Sequence, residues 1–226
     1  MAVSALCDIG ICPEEINAVF VTHEHSDHIK GISLFSKKFN VPVYANSATW
    51  TSMRECLSGV SEENVCIIEE NAVMIGDINV CAFAISHDAA NPVGYTMVSG
   101  NEKVSVATDT GIISKSMLDA LCGSDKVMIE ANHDLKLLEI GRYPDMLKRR
   151  IRGDKGHLCN EKTGELASFL LKEGTKKFLL GHLSEENNHP DLAYVTVREM
   201  LTACGAKEGV DFVVKMSYPS KTGEIL

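Results

Sequence analysis

Short apolar runs alternate with amphipathic stretches along the whole chain. Runs rich in Val, Ile and Phe at 18–22 (AVFVT), 41–45 (VPVYA), 65–69, 78–86 (INVCAFAIS), 94–98, 103–108, 126–131 (KVMIEA), 177–181 and 211–216 have the length and β-branched content of strands. Between them, helical spacing predicts helices at about 29–38, 47–57, 114–122, 134–140, 144–151, 161–173 and 191–204. The helix over 161–173 has Asn160 as its cap, carries Leu166, Phe169 and Leu170 on one face and stops at Gly174. A further helix over 2–9 is stopped by Gly10. Such alternation predicts α/β layers, with helices covering sheet faces. There is no internal repeat, low-complexity tract or flexible linker, and 226 residues at 45% hydrophobic can bury one sizeable core, so a single domain over 1–226 is expected.

Composition narrows the function. A net charge of -9 and a pI near 5.4 exclude general attraction to polyanions, so any nucleic acid must be handled by a local patch. The eight cysteines (Cys7, Cys12, Cys56, Cys66, Cys81, Cys122, Cys159, Cys204) form no CxxC pair and no regular frame, and are expected to be reduced and mostly buried. No stretch reaches the roughly 18 apolar residues of a membrane span, so a cytoplasmic protein without a membrane partner is expected. The lone Trp50 and the nine methionines read as core filling.

The chemistry is concentrated in FVTHEHSDHIKG, residues 20–31, which places three of the eight histidines and an aspartate within six positions. Groups two apart in an extended segment project to the same side, so His23 and His25 can share one ion, and Asp27 and His28 then face a second position. One tetrahedral site does not need all four, which favours two ions. Additional ligands belong at other strand ends, and the chain supplies His87 in AISHDAANPVGY, Asp109 in VATDTG and His182 in FLLGHLSEENN.

These residues resemble the metallo-β-lactamase superfamily, whose HxHxDH signature is matched by His23, His25, Asp27 and His28. Within it the chain looks closer to the bacterial YycJ/WalJ proteins, through VTHEHSDHIKG, SHDAANPVGY, ATDTG, EANHD, GRYPDMLKRRI, GHLCN and LGHLSEENN, together spanning about 16–192. The resemblance implies an αββα sandwich of two mixed sheets with helices outside. It implies a first metal held by His23, His25 and His87, a second held by Asp27, His28 and His182, and Asp109 bridging; Asp27 and Asp109, together with His157 on the local grounds given below, are read as the catalytic residues. The implied activity is a metal-dependent phosphodiesterase, a 5′ to 3′ exonuclease acting on DNA. Against the family pattern the chain lacks two strands before the helix over 2–9 and is therefore expected to be N-terminally shortened, with an exposed strand edge. Cys159 also stands where the family usually has serine.

Paired divalent ions lower the pKa of water toward about 7 and stabilise charge developing on phosphate. Phosphate positioning and protonation of the leaving oxygen need other groups. The densest basic cluster is Lys148, Arg149, Arg150, Arg152 and Lys155, and His157 follows it just before a helix N-terminus. His157 is therefore the candidate phosphate holder, with Arg149, Arg150 and Asn160 beside it; the basic run equally reads as a solvated helix face. Asn132 and His133 in EANHD either cap the next helix or line the cleft. His189, before Pro190, reads as a surface residue at a helix entry. Histidine with carboxylate suits manganese or zinc, and admits iron(II). Rival readings are an RNA-processing enzyme, a thioester or lactone hydrolase on the same centre, or a noncatalytic metal- or nucleic-acid-binding module.

Overall fold

The computed structural model describes residues 2–69, 71–219 and 222–223. The chain opens with α1 (Ala2–Asp8). A small sheet of order β1-β2-β3 follows, built from Val19–Phe20 (β1), Val43–Ala45 (β2) and Val65–Ile67 (β3), and its pairings are parallel. The large sheet has order β10-β9-β8-β7-β6-β5-β4 and comprises β4 (Val73–Ile75), β5 (Ile78–Ala84), β6 (Val93–Ser99), β7 (Glu102–Ala107), β8 (Lys126–Glu130), β9 (Lys177–Gly181) and β10 (Val213–Met216). It is mixed: β4 to β7 run antiparallel to their neighbours, and β7 to β10 run parallel. Parallel pairs require crossovers, and helices supply them. α2 (Ser26–Ile29) and α3 (Ile32–Phe39) link β1 to β2, and α4 (Ser47–Met53) leads toward β3. α5 (Lys115–Leu121) links β7 to β8. α6 (Leu135–Ile140), α7 (Asp145–Arg152) and α8 (Asn160–Lys172) lie between β8 and β9, and α9 (Pro190–Ala203) leads to β10.

Strand alternation divides the apolar residues among three layers. Val43 and Ala45 turn to one face of the small sheet and pack with Trp50 and Met53 of α4. Tyr44 turns to the other face, with Phe20, and meets Val80, Val93 and Tyr95 of the large sheet. The Tyr95 hydroxyl donates to the Val21 carbonyl at 2.7 Å, and its ring lies edge-on to Phe20, tying sheet to sheet. On its far face the large sheet (Val127, Ile129, Phe178, Leu180) buries α5, α8 and α9 through Met117, Leu121, Leu166, Leu170, Val197 and Leu201. Each such side chain stabilises the fold by roughly 1.5–3 kcal/mol. The order helix, sheet, sheet, helix is the αββα arrangement.

Several local expectations are corrected. The strand β4 was not anticipated. The helix expected over 29–38 is α3, which begins at Ile32, and the short α2 before it, carrying Asp27 and His28, was not expected; Gly31 between them, at φ 93°, takes a left-handed conformation that only glycine adopts cheaply. The cap of α8 is Cys159, and Asn160 is its first helical residue; Leu166 and Leu170 are buried, but Phe169 is exposed. The cysteines are mostly not buried: Cys7, Cys12, Cys56 and Cys204 are exposed, three are half-buried and only Cys159 is buried. Met74 and Met146 are also exposed, so the methionines do not all fill the core; Met1 lies outside the described residues. Among the described residues no helix is long and apolar enough to cross a membrane.

Candidate metal centre

β5 and β7 each run antiparallel to β6, so they point the same way, and β8 and β9 run parallel to β7. Their C-terminal ends share one edge of the large sheet, where loops from several strands converge on a common cleft. His87 lies just beyond β5, Asp109 beyond β7, Glu130 at the end of β8 and His182 beyond β9. The loop after β1 adds His23 and His25, and α2, with His25 as its N-cap, carries Asp27 and His28.

Ligand atoms within each of three sets lie within 4.8 Å of one another: His23, His25 and His87; His23, His28 and Asp109; Asp27, His28 and His182. Shared members join the sets into one cluster, so residues from position 23 to position 182 meet at a point. Asp109 is at its centre, with Oδ2 3.4 Å from His28 Nε2 and Oδ1 3.3 Å from His182 Nε2 and 3.7 Å from His87 Nε2.

Outer ring nitrogens are held by the protein. His23 Nδ1 is 3.0 Å from Thr22 Oγ1, His87 Nδ1 3.2 Å from the Gly156 carbonyl and His182 Nδ1 3.4 Å from Glu130 Oε2. The inward atoms are different. His23 Nε2, His28 Nε2 and Asp109 Oδ2 are buried without a hydrogen-bond partner. Leaving a buried polar atom unsatisfied costs about 1–3 kcal/mol, and three such lone pairs aimed at one space fit a divalent cation.

The electrostatics of His23, His28 and His87 agree. Burial, reinforced by His28, His25 and His87, pushes the His23 imidazole down to about 3, so it is a neutral donor. Burial also lowers His28 and His87, partly against the pull of Asp109. His182 behaves oppositely: burial opposes its protonation, but Asp27 and Glu130 push it up to about 10. Its contact with Asp27 in turn holds that carboxyl well below the usual range. Backbone strain is stored here as well: among the described residues, Asp109 (φ 60°) and His182 (φ 55°) are two of the three non-glycine residues at positive φ, each conformation costing about 1–3 kcal/mol.

His157 joins this cluster, its Nδ1 3.0 Å from Glu130 Oε2 and 3.8 Å from Asp109 Oδ1. Other candidates are placed elsewhere. Asn132 donates to the His182 carbonyl at 3.0 Å and so supports that loop, while Asp134, not Asn132 or His133, caps α6. His133 is buried and lines an adjoining cavity. Asn160 is wholly buried, its amide exchanging hydrogen bonds with Asn188, and so cannot meet a substrate. The Arg150 guanidinium grips the Asp88 carboxylate through two nitrogens and is not free for phosphate. Arg149 is an exposed residue in the last turn of α7. His189 is the exposed N-cap of α9.

Glu130 was not foreseen. Fully buried, it accepts from the Thr110 and Leu158 amides through Oε1 and from His157 and His182 through Oε2. Burial raises its pKa, but the two histidines hold the carboxyl at about 2. The one visible signal is a carboxylate inside the apolar run KVMIEA.

This fold, with histidine and aspartate gathered at the strand ends, defines a metallo-β-lactamase-superfamily protein, and a Beta-lactamase superfamily domain model matches residues 10–183. Over 93% of its length the chain is 37% identical to exodeoxyribonuclease YycJ of Bacillus anthracis, covering 80% of that protein. It is 39% identical to exodeoxyribonuclease WalJ of Streptococcus pneumoniae over 96% of its length, covering 81% of that protein. The chain therefore belongs to the YycJ/WalJ family. In fold it is similar to the metallo-beta-lactamase fold protein YhfI of Bacillus subtilis, with a TM-score of 0.72 at 17% identity, across 99% of this chain and 83% of that one.

Proposed function

We propose that this protein is a metal-dependent phosphodiesterase that removes nucleotides from the 5′ end of DNA. The observation that carries this reading is the meeting of seven imidazole and carboxylate groups from distant segments around three unpartnered buried lone pairs. The names of the relatives, exodeoxyribonucleases, support DNA as the substrate. His23, His25 and His87 would hold one divalent cation, Asp27, His28 and His182 a second, and Asp109 would lie between them. Bound there, manganese or zinc, with iron(II) admitted by the same donors, polarises a phosphoryl oxygen and lowers the pKa of water.

The protein's own groups supply the rest. Glu130 holds His157 Nδ1 and thereby fixes the ring, leaving Nε2 to donate to a phosphoryl oxygen or to pass a proton to the leaving oxygen. Through the same oxygen Glu130 orients His182. The strain at Asp109 and His182 holds both side chains over the cleft before substrate arrives. The charge of -9 keeps tight nonspecific duplex binding weak, which suits an enzyme needing a few phosphate contacts at a strand end.

The test pairs elemental analysis with digestion of 5′-phosphorylated and 5′-hydroxyl oligonucleotides, alongside RNA and a small thioester. Two metal equivalents and stepwise release of deoxynucleotides from the 5′ end are expected. Turnover of RNA or thioester alone, or nucleic-acid binding without turnover in added Mn²⁺ or Zn²⁺, would overturn the assignment.

A further inference from the structure

Next to the metal cluster, on the side of His157, lies a cavity of about 640 Å³. The backbone makes room for it by a close approach: a side chain at Gly111 would strike the Gly153 and Asp154 backbone, so glycine there lets the 153–154 loop close one wall. The cavity lining is mixed, with apolar, cationic and, at Asp154 and Glu165, acidic residues. Ile112, Ile113 and Leu135 form an aliphatic wall, and Ile112 and Leu135 keep 41% and 40% of their area exposed although they stand beside an ionic centre. Arg152 and Lys162 supply cations. Lys162 is engaged by Glu165 at 2.6 Å, whereas Arg152 makes one long contact, 3.4 Å to the Leu135 carbonyl, and no ion pair among the described residues.

His133 completes the lining. It is 1% exposed, and its ring Nδ1 is buried without a hydrogen-bond partner. A buried polar atom left so in a cavity wall points to a ligand that supplies the missing partner. A bare anion would satisfy Arg152 but would leave the aliphatic wall wet. A hydrocarbon would cover the wall but leave Arg152 and His133 unmatched. A flat heteroaromatic base with hydrogen-bonding edges, attached to a phosphate, meets all three surfaces, and the cavity volume lies within the roughly 300–1,000 Å³ of small-molecule sites.

We propose that this cavity is a nucleoside subsite that seats one nucleotide of the strand being cut, its base against Ile112, Ile113 and Leu135, its edge on His133 and its phosphate toward Arg152. This rests on the phosphodiesterase reading for the identity of the strand, but it is tested by binding alone.

Calorimetric titration of the full chain in Mn²⁺ with thymidine 5′-monophosphate and, separately, with inorganic phosphate decides it. The nucleotide is expected to bind at least about tenfold more tightly than phosphate, a difference of about 1.4 kcal/mol. Truncating both half-exposed aliphatics (I112A/L135A) should abolish that preference while leaving phosphate affinity within about twofold, because only the base loses its wall. His133→Phe, which keeps the volume and removes the nitrogen, should weaken the nucleotide several-fold, and Arg152→Ala should weaken both ligands. Equal affinity for phosphate and nucleotide, or a nucleotide preference untouched by I112A/L135A, overturns the subsite. A chain that shows the preference but cleaves no DNA leaves the subsite standing and removes the nuclease reading.

Discussion

His23 and His87 are covered almost entirely, at 0% and 3% exposure, whereas the Asp27 side chain is 68% exposed and that of His182 24%. The first set of proposed ligands is all imidazole and sits under the sheet edge; the second mixes imidazole with a carboxylate and opens to solvent. The difference is one of burial before it is one of chemistry. A buried histidine stays neutral and would be ready to donate to a metal. An exposed carboxylate can rearrange, so the open half is where an incoming phosphate can reach the centre. On the proposed two-ion reading, the closed half would retain metal and the open half would admit substrate.

Breaking the closed half should have the largest effect. His23→Ala is expected to lower phosphodiester turnover by about 10³-fold or more, roughly 4 kcal/mol of transition-state stabilisation, with loss of metal read by elemental analysis. Removing the cations from the intact protein should come next. Dialysis against chelator is expected to abolish activity and lower Tm, since ligand at 100 times its Kd stabilises the fold by about 2.7 kcal/mol, and added Mn²⁺ should restore both. Asp27→Ala attacks only the open half, so one tightly held equivalent should survive while activity falls; loss of both ions together would erase the distinction between halves. Glu130→Gln keeps the shape but weakens the hold on His157 and His182, and an effect of about 10–100-fold on metal affinity or turnover is expected. Arg150→Ala should do least: its pair with Asp88 is about half exposed on the arginine side, so stability should change by less than about 1 kcal/mol in thermal melts and turnover by less than about twofold.

The same contrast explains what was readable in the sequence. Ligands packed into HxHxDH announce themselves by spacing, and His87, Asp109 and His182 stand out because each follows an apolar strand run. Glu130 does not, since its partners are 27 and 52 residues away: the parallel register of β8 with β9 brings His182 to it, and the bridge between His133 and Cys159 brings His157. Asn160 and Arg150 looked free for phosphate for the converse reason: Asn188 and Asp88, which occupy them, are equally remote in sequence. Among the elements, periodicity located strands and helices because each buries a face. It missed β4, whose three residues are too few to show alternation, although the Gly76-Asp77 step between apolar runs is a two-residue hairpin signal. It also missed α2, whose four residues are too few to show a helical face.

The most direct test of the central claim is anomalous scattering from crystals of the Mn²⁺-loaded protein. Two peaks about 3.5–4 Å apart, one among His23, His25 and His87 and the other among Asp27, His28 and His182, with Asp109 reaching both, are predicted. A single peak, or a pair seated on other side chains, would contradict the account.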